Sequence, residues 1–185
     1  RRRDAGFAAV ILAAQRAGQI GPLAEAVGLS HKCLVPIANA PLIVHVAKAL
    51  FATPGCALVR IVVEPEMFGA IDLELAERTI PIEFVPSAVN LADSVFAGAG
   101  GIEGPIIVTT ADNVLLTPGA VTQMLDRLHG GAEVALAMAT KGSVLAAHPE
   151  GQRRFYRFRD GDYSNCNLYG FNGSQALAAA ERFRS

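Results

Sequence analysis

GFAAVILAAQRAGQIGPLAEAVGLSHKCLVPIANAPL, residues 6–42, holds two apolar runs separated by a polar loop. The first, Phe7–Ala14, is unbroken and uncharged, as a strand buried on both faces must be. It stops abruptly at Gln15 and Arg16. A glycine-bearing loop follows and returns through His31-Lys32 to the second run, Cys33–Ile37. Within the loop, Pro22–Val27 has helical composition, with Gly28 as its stop. Lys32–Ile37 is expected to be short and extended, and Ala40-Pro41 fits a helix opening with proline at its first position. A buried strand that brings a flexible loop and a lysine to one sheet edge is a way of holding phosphate groups. Gly18 and Gly21 give that loop the backbone freedom for close approach. The spacing is neither GxGxxG nor a Walker A loop, so a dinucleotide fold site or a kinase-type loop gains little support.

Outward from this stretch, apolar runs at Leu58–Val63, Ile82–Val85, Pro105–Thr109 and Ala132–Ala139 read as further strands. Helical composition fills Glu66–Ala76, Asn90–Ala97 and Ala120–Leu128, the last preceded by the start signal Thr117-Pro118. This alternation argues an α/β fold in three layers, with a mainly parallel, doubly wound sheet covered on both faces. Right-handed crossovers then put the strand C-terminal ends on one edge, where ligands bind. After Lys141 the pattern changes. Residues 142–165 carry Gly, Pro and the basic-aromatic run Arg153–Arg159, and Asp160-Gly161-Asp162 reads as a hairpin turn. Leu168–Phe171 can rejoin the sheet, and Ser174 N-caps a last helix.

At 185 residues the expectation is one domain with a substantial core. With 51% hydrophobic and 18% charged residues, disorder is excluded as the general state. A net charge of −1 gives no footprint for nucleic acid or a membrane surface. No apolar run approaches the roughly 20 residues of a membrane span. Cys33, Cys56 and Cys166 are widely spaced with no CxxC pair, which suits buried thiols in a reducing compartment, so a cytoplasmic location is expected.

Asp112 directly follows a buried strand, where a carboxylate can hold Mg²⁺ beside phosphate oxygens. It can equally be a residue that turns the chain before Leu115, and the residues alone leave both readings open. Lys32 and Arg16 are cations that can face phosphate or simply solvent. His31, His129 and His148 form no ligand spacing, and no Ser–His–Asp or Cys–His arrangement can be argued.

The opening stretch resembles the start of the MobA-like nucleotidyltransferases, approximately LAAGxGxRMG, a gap, then PKxLxPVxGxPLI. Leu12-Ala13-Ala14 match the strand end, Gly21-Pro22-Leu23 the loop end, Lys32–Ile37 the lysine segment and Pro41-Leu42-Ile43 the helix start. Gln15 and Ala17 stand where that pattern has glycines, Gln19 where it has arginine, and His31 where proline precedes the lysine. The loop is also longer. Thr110–Pro118 looks like the family's GDxPLLTP segment, whose Asp binds the metal, with Asn113-Val114 at the usual proline. Ser87–Val95 resembles the segment that contacts the base, Ser94 matching a recurrent serine, although a plain helix N-cap at Asn90 explains the same residues. Asn167 falls near the point where several families of this fold place a second metal ligand; a turn-forming Asn is the alternative.

The resemblance implies a Rossmann-like fold of the glycosyltransferase-A type in one domain over 1–185, truncated at its C-terminus, since family members run longer. It also implies a Mg²⁺-dependent transferase that joins a nucleoside triphosphate to a phosphorylated small molecule. Lys32 and Arg16 would then serve catalysis. Leu12, Ala13, Ala14, Gln15, Gly18, Gly21, Ser87 and Ser94 would bind nucleotide, and Asp112 and Asn167 would hold the metal. Two rivals are a nucleotide-sugar glycosyltransferase, whose Asp-x-Asp motif has its one counterpart at Asp160-Gly161-Asp162, and a non-catalytic nucleotide-binding regulatory domain, favoured by Gln15, Ala17 and Gln19.

Overall fold

Strand order departs from chain order in two places, at the reversal about β1 and where β9 lies between β6 and β7, and the site follows from the first. The computed structural model describes residues 6–15, 19–151 and 154–183. The chain runs β1 (Phe7–Leu12), α1 (Pro22–Ala26), β2 (Pro36–Ile37), β3 (Ala40–Pro41), α2 (Leu42–Phe51), β4 (Cys56–Val63), α3 (Phe68–Glu74) and β5 (Ile82–Pro86). It continues through α4 (Leu91–Ala99), β6 (Pro105–Thr110), α5 (Pro118–His129), β7 (Val134–Thr140), α6 (Lys141–Ala147), β8 (Tyr156–Phe158) and β9 (Gly161–Asn172). A 3-10 segment, Ser174–Phe183, follows.

The main sheet has seven strands, in the order β5-β4-β1-β6-β9-β7, with β8 on β9. From β1 the chain steps outward to β4 and β5, in parallel register, then crosses back to pair β6 on the other flank of β1. That reversal opens a crevice at the C-terminal ends of β1 and β6, the usual ligand position in such sheets. β9 runs antiparallel to β6, β7 and β8, so it alone opposes the common strand direction.

Alternate residues of the buried strands feed two cores, as a two-residue period requires. Phe7, Ala9 and Ile11 face α2, α3 and α5 through Ile43, Leu50, Ile71, Val121 and Leu128. Ala8 and Val10 join Val62, Ile106 and Val108 beneath α4, with Leu177 of the terminal segment. Asn90 and Thr117 cap α4 and α5 by accepting the Asp93 and Ala120 amides, a standard use of these residues.

Four local expectations need correction. Lys32–Leu34 is a 3-10 turn and only the residues after it are extended, because Cys33 must bury its side chain while Lys32 stays outside. Pro41 precedes α2 as its cap, since Ala40–Pro41 pairs with Pro36–Ile37 across a tight turn with positive φ at Ala38 and Asn39. Lys141–Ala147 is a helix with Thr140 as its cap, in the stretch after Lys141 where the sequence pattern yields no element. The terminal segment is 3-10 rather than α-helical. Part of the basic run, Arg153, lies outside the described residues.

Candidate active site

Two backbone bonds carry the sheet ladder past the end of β1: Ala13 N–H donates to Val62 O of β4 at 2.9 Å, and Ala111 N–H, just after β6, to Leu12 O at 3.0 Å. Asp112 therefore leaves a fixed strand. Thr110 Oγ1 donates to its Oδ1 at 2.6 Å. Lys32 Nζ, 80 residues earlier in the chain, donates to its Oδ2 at 2.5 Å. Burial pushes the Asp112 carboxyl up, but the bonds from Lys32 and Thr110 and the lysine's charge outweigh it, and the carboxyl sits below its usual value. Asp112 is thus held ionised at neutral pH.

Lys32 is lifted to this position by its 3-10 turn, anchored by the buried Cys33. Burial raises the Cys33 thiol to about 11, so it behaves as a small apolar side chain and not as a nucleophile. Lys32 itself is exposed on the crevice side.

On the other flank, Asn113 ties β6 to β9. Its Nδ2 donates to Cys166 O and to Thr109 Oγ1, both at 3.1 Å. Thr109 Oγ1 in turn donates to Asn167 O at 2.8 Å. The β7–β9 register slips between Leu136 and Met138, which bulges β9 around Asn167, whose φ is +51°. Asn165 Oδ1 accepts the Asn167 amide at 2.8 Å and fixes that turn. Asn167 itself is exposed, and its backbone carbonyl lies against Thr109 and Asn113, the residues that flank Thr110–Asp112.

Among the described residues no three His, Cys, Asp or Glu side chains cluster as a cage for a metal. The donor set fixed here, the ionised Asp112 carboxylate, is one that a hard cation takes while keeping most of its shell as water and phosphate. Mg²⁺ fits that set, whereas a structural zinc does not.

The other sequence-predicted residues are spread around the same edge. Leu12 and Ala13 close β1 and contribute backbone to it, Ala14 is exposed, and Gln15 is half-buried. Gly21 caps α1. Ser87 N–H donates to Val63 O, and Ser94 is buried with its hydroxyl accepting the Ala88 amide, so both shape the loop after β5. Arg16 and Gly18 lie outside the described residues. The Asp-x-Asp pair sits at the β8–β9 turn: Asp160 accepts from Tyr163, and Asp162 pairs with Lys141 at 3.5 Å.

Sequence reasoning passed over Thr110, Asn113, His31 and Glu64. Glu64 had a usable signal, being the charged residue at the end of a buried strand, as Asp112 is.

Residues 9–172 match the MobA-like NTP transferase domain. No curated protein matches the chain. A hypothetical transferase from Thermus thermophilus is 27% identical, with a TM-score of 0.70 over 96% of this chain and 71% of its own. The 4-diphosphocytidyl-2C-methyl-D-erythritol synthase of Anaerococcus prevotii shares the fold at 11% identity, with a TM-score of 0.71 over 98% of this chain and 76% of that one. A CMP:2-keto-3-deoxy-manno-octonic acid synthetase complexed with CTP does so at 16% identity, with a TM-score of 0.66 over 96% of this chain and 78% of that one.

Proposed function

This chain belongs to the MobA-like NTP transferase family, a nucleotidyltransferase family, and on that premise we propose that it joins a nucleoside triphosphate to a sugar or alcohol phosphate with release of pyrophosphate. The observation that carries the proposal is the convergence of Lys32 and Asp112, at 2.5 Å, on the crevice where the sheet order reverses.

In the reaction, an acceptor phosphate oxygen attacks the α-phosphorus. The bond from that phosphorus to the bridging oxygen breaks, and its electron pair leaves with pyrophosphate. Charge builds on both the centre and the leaving group, so fixed cations are the main requirement. Lys32 is the point charge for those oxygens, and Arg16 shares the role. Leu12, Ala13, Ala14, Gln15, Gly18 and Gly21 line the triphosphate, and the loop held by Ser87 and Ser94 takes the base. Asp112 and Asn167 would hold Mg²⁺, which when bound neutralises phosphate charge. Asp112 suits this task because Lys32 and Thr110 keep it deprotonated. Arg154, Arg157 and Arg159, exposed around the β8–β9 turn, give an anionic acceptor a basic approach.

The test is pyrophosphate release with each of the four ribonucleoside triphosphates and Mg²⁺ across a panel of sugar and alcohol phosphates. CTP is tried first, because one fold neighbour was solved with it. Release that needs Mg²⁺ and falls about 1,000-fold or more in Asp112→Ala and about 100-fold in Lys32→Ala is expected. Nucleotide binding by calorimetry without any turnover would favour the regulatory reading instead.

A further inference from the structure

Four polar residues around the ends of the loop are joined by contacts, and of them only Gln15 has a place in the chemistry above. Gln15 begins the loop after β1, and Ser30 and His31 end it. Gln15 Nε2 donates to Ser30 O at 2.5 Å, closing 15 residues of chain into a loop with a joined neck. Glu64, at the end of β4, lies under that neck: its Oε1 accepts the Gln15 backbone amide at 2.9 Å. Its Oε2 stands 3.4 Å from His31 Nε2. The other imidazole nitrogen, Nδ1, is 2.9 Å from Ser30 Oγ. His31 is 8% exposed. Glu64 Oε2 is, among the described residues, the buried side-chain oxygen that lacks a hydrogen bond, and His31 is the group it faces.

We propose that Glu64 is a positioning residue: with Gln15, Ser30 and His31 it clamps the neck of the phosphate loop and so presets both the loop and the adjoining Lys32 for the nucleotide. The inference rests on the nucleotidyltransferase reading of the site. Its main support is the continuous set of contacts from Ser30 through Gln15 and Glu64 to His31. Gln15 and His31 are also two of the places where this sequence departs from the pattern it resembles. Taken singly, each looks like decay of a phosphate loop. A glycine at 15 has no side chain to reach Ser30, and a proline at 31 has no imidazole to reach Glu64. The two departures are halves of one network, and Glu64 joins them. A loop whose ends are fixed loses less entropy when phosphate binds, so the clamp acts on binding and not on the bond-making step. Lys32 follows His31 directly, and its 3-10 turn starts from His31, whose carbonyl accepts the Leu34 amide. The clamp therefore also sets where the lysine starts.

The experiment compares wild type with Glu64→Ala, Glu64→Gln, Gln15→Ala and the double variant Gln15→Ala/Glu64→Ala. Three quantities are read: amide hydrogen exchange over residues 19–34, nucleotide Kd by calorimetry, and KM against kcat for pyrophosphate release. Glu64→Ala should speed exchange in that segment and raise Kd and KM for the nucleotide about tenfold, the effect of losing a part-buried hydrogen-bond network. Its kcat should stay within about twofold of wild type. Glu64→Gln keeps an oxygen for the Gln15 amide and should recover most of the affinity. The double variant should be no worse than the worse single one, because both cut the same network. Faster exchange with unchanged nucleotide affinity, additive losses, or a loss confined to kcat would overturn the positioning role. If wild type binds no nucleotide at all, the functional reading falls and the positioning role with it. The exchange comparison then still decides whether the clamp exists: unchanged exchange in Glu64→Ala removes it.

Discussion

The two sides of the sheet are built differently. β1 and β6 are buried along almost their whole length, five residues in six in each. β7 is at most half-buried, and β8 is exposed throughout. The buried side is a platform: Asp112 leaves β6 with no slack, and Lys32 comes off a one-turn helix anchored by Cys33. The exposed side is an arm. It is joined to the platform by β9, through the β6–β9 ladder and the Asn113 bonds. On the reading above, this separates two demands. A triphosphate is chemically the same for every such reaction and suits a rigid receiver, while the acceptor differs and suits a surface that can be remodelled without disturbing the core.

Two glycines, one on each side, test the comparison. A Cβ at Gly98, in α4, would lie 2.7 Å from both Val10 Cγ1 and Val62 Cγ2. Both valines sit in central strands and are stiff at χ1. Gly98→Ala should therefore destabilise by about 1–3 kcal/mol in urea unfolding, in spite of a helix-propensity gain of about 1 kcal/mol. A Cβ at Gly170, in β9, would lie 2.8 Å from Met124 Cγ and 3.1 Å from Leu128 Cδ1. Met124 has unbranched, rotatable bonds and can move aside. Gly170→Ala should cost less than Gly98→Ala, by about 1 kcal/mol, since Met124 shifts at χ1 more readily than a β-branched valine. Equal costs, or the reverse order, would mean that the arm is packed as tightly as the platform.

The platform was legible in the sequence because buried parallel strands announce themselves as uncharged runs. Phe7–Ala14 and Pro105–Thr109 gave their strands to within one or two residues, and Asn90 and Thr117 gave helix starts through capping chemistry. The arm was not legible, because half-exposed strands mix polar and apolar residues without a clean period. β9 showed only its apolar end, Leu168–Phe171, although it runs from Gly161 to Asn172. The helix Lys141–Ala147 was hidden by the glycine inside it. At the crevice, Lys32 and Asp112 could be named, since one begins a turn and the other follows a strand, while Glu64 was passed over. Their pairing could not: Lys32 with Asp112, and Gln15 with Glu64, are contacts made by sheet order, which local pattern does not encode.

The smallest expected effect is the pH dependence of the Lys32–Asp112 pair, and it bears on whether the platform holds its charges in solution. Burial raises the Asp112 carboxyl, but the Lys32 and Thr110 bonds and the Lys32 charge bring it below its ordinary 3.8 in the folded chain. Around that value the unfolded chain binds more proton at this site than the native one, so stability rises with pH there. The contribution is complete above the unfolded value and is lost as pH falls through 3.8 towards the lower native value. Asp112→Asn removes it, so its stability measured by urea unfolding should fall less steeply than that of wild type below about pH 4. Above about pH 5 the two profiles should run parallel. Lys32→Met should flatten the acid limb in the same way, because the lysine supplies most of the lowering. The Asp112 side chain is 34% exposed, so solvent screening keeps the effect small and it reads as a change of slope. An acid limb unchanged in both variants would mean that the pair is not held in solution. The two charges would then be presented by flexible side chains, as on the arm, and the distinction between platform and arm would survive in the packing but not at the site.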